Sequence, residues 1–399
     1  MNKIDFVCFS QNTWEKRRAR KQQFMLHLSF REDVDKVFYV EPPLNLFRLI
    51  LLPFSELRTK GNRGRWLRAL KFKIERSSES QKLFIYTPIF FIPFSFRIQA
   101  IHNLNRYISL LIIKTKLKRL NFENIVLWLY HPFDYCILKW FKDRMVSCFD
   151  WAEDWAEFFV EYPLKKRKYI SYLEEKIIKE VDLVFVVSQV LLKRAQKLNK
   201  NSHQILDGTV PEIFDNYDGR IPDEMKKIPH PILGYTGTVN KRVDMDLITE
   251  LSLQLPQSSI VLVGNILYPL EKLKRVTHKN IFFLGGKKYN ELPNYMMNFD
   301  ICILPYIPFY LQPPPTKIYD YLATGKPVVS SNIPEMDRFK DCIKTARTNS
   351  EFIEFVKESL GEDNPELQEL RREKARKNSW LSRTQEIIDI IHYKVKAVN

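Results

Sequence analysis

The stretch ILPYIPFYLQPPPTKIYDYLATGKPVVSS, residues 303–331, decides how this chain is read. A short apolar run over 301–304 stops at Pro305, as a buried strand does. Three prolines, 313–315, then stiffen the loop and fix a helix start behind them, capped by Thr316 or a nearby group. Lys317 and Asp320 fall in the first turn, three residues apart, so they share a face. The next apolar run, PVVS, covers 327–330. Strand, helix and strand in succession are the unit of a parallel sheet covered on both faces.

Working outward, the same alternation recurs. In the second half, strands are expected at 232–236, 260–263, 281–284, 301–304 and 327–330, with helices at about 244–255, 290–298, 316–324 and 350–360. A charged helix over 364–378 and an amphipathic one over 381–395 close the chain. In the first half, strands are expected at 4–9, 37–40, 83–86, 125–130, 145–149 and 183–187, and helices at about 20–29, 99–119, 133–141 and 165–180. The run NYDGRIPDEMKKIPHP, residues 216–231, is rich in proline and charge and reads as a linker. The expectation is an α/β chain of two Rossmann-like doubly wound domains facing a cleft. Their bounds are 1–215 and 232–378, joined by 216–231 and followed by a closing helix over 379–399. Ligands of such sheets lie outside the carboxyl ends of the strands.

Composition narrows the class. The 399 residues suit two or three domains, and 45% apolar with 28% charged residues is ordinary for a chain with a real core. Disorder, collagen and small disulfide scaffolds are excluded. The five cysteines form no CxxC pair, which argues against zinc or a redox dithiol and for a reducing cytoplasm. The start, MNKIDFVCFSQN, lacks the apolar run of a signal peptide, and no stretch approaches the ~20 apolar residues of a membrane span.

The formal charge is +16, with a pI near 9.4, and it is unevenly placed. Residues 44–120 hold 16 basic and 3 acidic residues, so nearly all of the excess lies there, interleaved with bulky apolar groups. A solvated basic face is the plain reading. Nucleic acid or an anionic membrane surface is the sharper one. Cations mixed with Leu, Phe and Trp favour the membrane, and no nucleic acid is expected. Glycine is scarce, at 11 residues, and six of them, Gly234, Gly237, Gly264, Gly285, Gly286 and Gly325, lie at or near the ends of apolar runs. There a backbone turns tightly or approaches a ligand closely.

Four constellations carry chemistry. Gly234-Tyr-Thr-Gly237-Thr238 ends a strand before a helix. Backbone amides at such a turn suit phosphate, and Lys241 or Arg242 could add charge. Lys317 and Asp320 place a cation and a carboxylate at a helix start, where a ribose diol and a diphosphate would be received. His131, after the strand at 125–130, is a candidate to assist an acceptor hydroxyl or contact the sugar. Asp150, Glu153 and Asp154, clustered among tryptophans, suit sugar binding. The seven histidines show no metal spacing, so no metal is expected.

The pattern P-x-K-x-Y-D-Y-x-A-x-G-K-P-V-V, residues 315–329, resembles the donor-nucleotide motif of GT-B glycosyltransferases. The likeness is to the large retaining family that includes bacterial polysaccharide and teichuronic-type transferases. The first donor-domain strand and turn at 234–244, the strand ends Val263-Gly264 and Phe283-Leu-Gly285, and Tyr289–Pro293 agree in order. So do Asp182–Ser188, Ile205–Val210, Arg20–Met25, and Ser379-Trp380 with Arg383. The resemblance implies a nucleotide-sugar donor, a glycan or lipid-linked acceptor, a closing helix that crosses back to the first domain, and no cofactor. It implies that Asp320 holds the ribose hydroxyls and that the acidic turn of Asp150, Glu153 and Asp154 lies on the acceptor side. Gly237, Thr238, Thr316, Lys317 and Arg242 would serve the diphosphate, and Gly285 to Lys287 would approach the base. One departure is Gln312, where the wider family often has Glu eight positions before the ribose carboxylate. The expected place is the cytoplasmic face of a membrane, peripherally attached. A second reading is a non-catalytic GT-B-like binding module, or a basic nucleic-acid binder.

Overall fold

Strands apolar on both faces must be covered twice, and the chain meets this need in two separate sheets. In the computed structural model, residues 3–14, 19–93, 98–155, 163–267, 278–307, 315–362 and 364–398 are described. The chain divides into two units, residues 1–206 with 384–399, and residues 207–383.

The first unit holds β1 (Ile4–Phe9), β2 (Val34–Val40), β3 (Leu44–Asn45), β4 (Glu75–Arg76), β5 (Leu83–Tyr86), β6 (Ile89–Phe90), β7 (Ile125–Leu129), β8 (Val146–Trp151), β9 (Leu183–Val186) and β10 (Ser202–Gln204). Its main sheet runs β10-β9-β8-β7-β1-β2-β5-β4, parallel except where β4 meets β5. β1 and β8 are buried along their whole length. The helices Gln99–Arg119 and Leu164–Glu180 lay Leu110, Ile113, Leu117, Ile170 and Ile177 on the same core as Val7, Leu127 and Val184.

The second unit holds β11 (Ile232–Thr236), β12 (Ser259–Val263), β13 (Ile281–Gly285), β14 (Ile301–Leu304), β15 (Val328–Ser331) and β16 (Lys344–Ala346). They are parallel and ordered β13-β12-β11-β14-β15-β16. Renumbered within the unit, this is the 3-2-1-4-5-6 order of a doubly wound nucleotide fold, with its switch point between β11 and β14. Gly234 is needed inside β11, because a Cβ there would lie 2.0 Å from the Phe299 ring. Asp244 starts the helix Met245–Gln254 by accepting from the Leu247 N–H at 2.9 Å.

Several expectations are corrected. Residues 216–231 are not a free linker. Met225 and Ile228 are buried, Tyr295 donates to Glu224 at 2.5 Å, and the division falls at 206/207. Two apolar residues suffice to dock a segment whose proline and charge content reads as solvent-exposed. Residues 46–70 of the basic segment, given no elements in the sequence reading, form three helices, Leu46–Leu51, Pro53–Glu56 and Lys60–Leu70. The closing helix begins earlier and runs longer, over Trp380–Val398, and its residues from Thr384 onward belong to the first unit.

Asp150 is not an acceptor-side group. It is fully buried at the end of β8, and both carboxylate oxygens receive the Arg20 guanidinium, at 3.0 to 3.1 Å. The pair ties the helix Arg20–Ser29 to β8 across 130 residues of chain. Removing one partner leaves a buried charge uncompensated. Asp150→Ala is therefore expected to destabilise the first unit by about 3–5 kcal/mol, read as a lowered urea midpoint. An unchanged midpoint with a raised acceptor KM would restore the acceptor role.

Candidate functional site

The second unit gathers most of the sequence candidates at the switch point. β11 delivers Tyr235 and then Gly237, whose φ of 128° suits glycine alone. Its N–H donates to Val263 O at 2.8 Å. A Cβ on Gly237 would lie 2.3 Å from the Lys317 Nζ, so the ammonium sits against this backbone. Gly264, at the end of β12, approaches from the other side, and a Cβ there would lie 2.0 Å from Gly237 O. Gly286, after β13, would strike Asn265 Oδ1 at 2.3 Å. Three adjacent strand ends are thus stripped to backbone.

Lys317 opens the helix Lys317–Thr324. Its Nζ donates to the Tyr306 hydroxyl at 2.7 Å and the Tyr235 hydroxyl at 2.9 Å, and lies 4.1 Å from the Tyr235 ring centroid. Among the described residues it has no carboxylate at ion-pair distance. The two tyrosines end or follow β11 and β14, the strands that flank the switch point. The loops behind those strands are pinned together: Asp244 N–H donates to Pro305 O at 2.8 Å and Ile307 N–H to Arg242 O at 2.9 Å. Arg242 is close enough to Tyr235 to lower its hydroxyl pKa, although burial raises that pKa more strongly. Thr238 belongs to the same turn and its carbonyl accepts from the Tyr235 hydroxyl at 3.2 Å.

Thr316 does not cap the helix. Its Oγ1 donates to Asp207 Oδ2 at 2.5 Å, and no side chain closes the first turn. Within that turn the Ile318 N–H donates to Pro315 O at 2.9 Å and the Tyr319 N–H to Thr316 O at 3.2 Å, so the helix start offers an anion its positive end rather than these two amides. Asp320 lies in that first turn and is buried. Its Oδ1 accepts from Thr209 Oγ1 at 2.6 Å. Burial pushes its carboxyl up to about 7, against the smaller pull of Thr209 and Lys317. Gly285 has φ of 69° with open space at its Cβ position. Lys287 is turned to Glu224, Nζ to Oε1 2.5 Å, so its ammonium is already paired. Gln312 lies outside the described residues.

In the first unit, His131 follows β7 and is buried, and its ring lies 4.3 Å from that of Trp155. Nδ1 accepts the Phe133 N–H at 3.2 Å, which leaves the proton on Nε2. Burial, helped by Lys21 and Arg106, holds the ring down to about 3, so it is neutral throughout the physiological range. His131 can donate a hydrogen bond through Nε2, but it has no free lone pair with which to act as a base. Asp154 is ion-paired with Arg194, whereas Glu153 is exposed. The sequence reading missed Tyr235, Tyr306 and Thr209 as site residues. The available signal was their position, just at or after a strand end or beside the Gly208 turn.

Comparison with known proteins bears on the fold and on the second unit. Residues 230–358 match the family described as Glycosyl transferases group 1. Over 232 residues the chain is 28% identical to TuaH of Bacillus subtilis (strain 168), named as a teichuronic acid biosynthesis glycosyltransferase; the match covers 54% of this chain and 58% of that one. The chain thus spans little more than half the length of the curated relative that it matches. Among solved structures, sucrose-phosphate synthase from Thermosynechococcus elongatus superposes with a TM-score of 0.66 at 14% identity, over 100% of both chains. Anabaena HepE, solved with UDP, gives 0.67 at 11% identity, over 98% of this chain and 100% of that one. Identities this low speak for the fold. The chain therefore has the α/β GT-B fold, and its residues 230–358 are similar to the glycosyl transferases group 1 family.

Proposed function

We propose that the protein is a glycosyltransferase that moves a hexose from a nucleoside-diphosphate sugar to a glycan or lipid-linked acceptor in cell-surface polysaccharide synthesis, with retention of configuration. The observation that carries this reading is the Lys317 ammonium. Two tyrosine hydroxyls hold it against the bare backbone of Gly237, beside an uncapped helix start. HepE, of the same fold, is solved with UDP and with UDP-glucose. TuaH, the curated relative, is named for teichuronic acid biosynthesis.

In this reading the diphosphate lies over Gly237 and Thr238, against Lys317 and the positive end of the helix Lys317–Thr324, with Arg242 as a further cation. As the glycosidic bond to the phosphate breaks, negative charge grows on the leaving oxygen. Fixed donors there need no reorganisation. Asp320 Oδ2 accepts from the ribose hydroxyls while Thr209 holds Oδ1. Gly285 leaves room for the base. In the first unit, His131 can donate from Nε2 to an acceptor hydroxyl. Lys317 and the positive end of its helix take the charge that a metal would otherwise carry, so turnover is expected to survive EDTA undiminished. Loss of turnover on chelation, restored by a divalent ion, would overturn that part.

The deciding assay follows nucleoside diphosphate released from a panel of sugar nucleotides. Lys317→Ala is expected to lower kcat/KM by about 10²–10³-fold, the usual effect of deleting one preorganised donor. Asp320→Ala should chiefly raise KM. Equal turnover in all three proteins would remove the site assignment.

A pH dependence follows from Asp320. Protonated, it would carry its proton on Oδ2 and lose that acceptor. Its folded-state pKa of about 7 exceeds the usual carboxyl value. Its contribution to stability is therefore fully present in acid and is lost as pH rises through about 7, while donor affinity moves oppositely. Nucleoside diphosphate should bind about tenfold more tightly at pH 8 than at pH 6, as expected for one group titrating midway between them. Asp320→Asn should flatten the profile in calorimetric titration.

A further inference from the structure

The basic segment of the first unit has two faces. Inward, Leu46, Leu49 and Leu57 pack on a small core of Leu44, Trp66, Ala69 and Ile89. Outward, five consecutive residues, Ile50 to Phe54, stand in solvent. Ile50 is 67% exposed, Leu51 61%, Leu52 52% and Phe54 93%. The neighbouring helix Lys60–Leu70 adds Leu67 and Leu70, one turn apart on its outer side, at 60% and 45%. Arg63 Nε donates to Leu57 O at 2.6 Å and so joins this helix to the tip.

Charge around the apolar tip has one sign. Residues 44–76 hold nine Lys and Arg and two Glu. Both acids are engaged, Glu56 with Arg48 and Glu75 with Arg68. The side chains of Arg58, Lys71 and Lys73 are exposed and have no ion-pair or hydrogen-bond partner among the described residues. A run of exposed Leu, Ile and Phe ringed by unpaired cations is out of place on a surface meant only for water. A second copy of the same face would repel it. A nucleic acid would pair the cations but leave Ile50 to Phe54 in water. An anionic lipid surface satisfies both, because the headgroups take the cations and the acyl boundary takes the tip. No helix among the described residues is long and apolar enough to cross a membrane.

We propose that the helices at 46–70 dock the protein on an anionic lipid surface, with Ile50 to Phe54 entering the acyl boundary and Arg58, Lys71 and Lys73 bound to headgroups. This contact stands apart from the donor site and needs no nucleotide. The test is co-sedimentation of the full chain with phosphatidylcholine vesicles, with and without phosphatidylglycerol. Retention is expected on the anionic vesicles only, and it should weaken with salt. Phe54→Ser alone touches no packed neighbour and should lower partitioning several-fold; Ile50→Ser with Phe54→Ser should lower it about tenfold or more. Arg58→Gln, Lys71→Gln and Lys73→Gln together should lower it about a hundredfold. All variants should keep the wild-type melting shift with nucleoside diphosphate, which separates this contact from the donor site. Three results would overturn the proposal: equal retention on neutral vesicles, retention unchanged in both sets of variants, or no vesicle binding beside tight DNA binding.

Discussion

The second unit is organised around one half-buried ammonium. Lys317 is held by two phenol hydroxyls and an aromatic face, and these groups orient a cation without neutralising it. A carboxylate in their place would satisfy the charge and close the site. Hydroxyls leave the cation short of an anion, and the arrangement is complete only when a ligand brings one. The sheet order follows the same need. β11 and β14 are the two strands between which the crossovers change direction, so their ends are not roofed by a connection. Tyr235 and Tyr306 come from these two strand ends and converge on Lys317 from both sides.

The glycines are a consequence of that convergence. With Nζ 2.3 Å from where a Gly237 Cβ would stand, any side chain at 237 would displace the ammonium from the tyrosines. Gly264 is bound to the same place in turn, because its Cβ would overlap the Gly237 carbonyl. A ligand received here meets backbone on one side and a fixed cation on the other. Asp320, one turn further along the helix, is buried enough that its ionisation falls near neutrality. The helix start is therefore asymmetric, with a permanent charge at Lys317 and a titratable one at Asp320.

Much of this was legible in the sequence because it is local. Short apolar runs gave most of the parallel strands to within a residue or two, although β2 begins three residues earlier and β10 and β16 went unmarked; scarce glycines marked the strand ends, and the proline run in the sequence pointed to a helix start that falls at Lys317. What was not legible depends on partners far away in the chain. Asp150 reads as a free acid in an aromatic turn until Arg20 is found on it. Thr316 reads as a cap until Asp207 claims its hydroxyl. His131 reads as a candidate to assist an acceptor hydroxyl, but which ring nitrogen faces outward is set by the Phe133 amide on Nδ1. The three helices over 46–70 escaped notice for another reason. Their apolar residues point both to a small core and to solvent, so no single periodicity marks them.

The uneven charge has a physical logic in the two kinds of site. Against aromatic walls and bare backbone, the effective dielectric is low, and one or two placed cations can hold a diphosphate. The second half of the chain accordingly stays close to neutral. At a water-exposed lipid surface each cation is screened within about 8–10 Å and contributes little alone. Many are needed, and they must stand with apolar groups that screening does not weaken. Residues 44–76 show this composition, with six exposed cations beside the Ile50–Phe54 tip. The charge excess thus belongs to the weakly coupled surface, and the few cations near the glycines do the more specific binding.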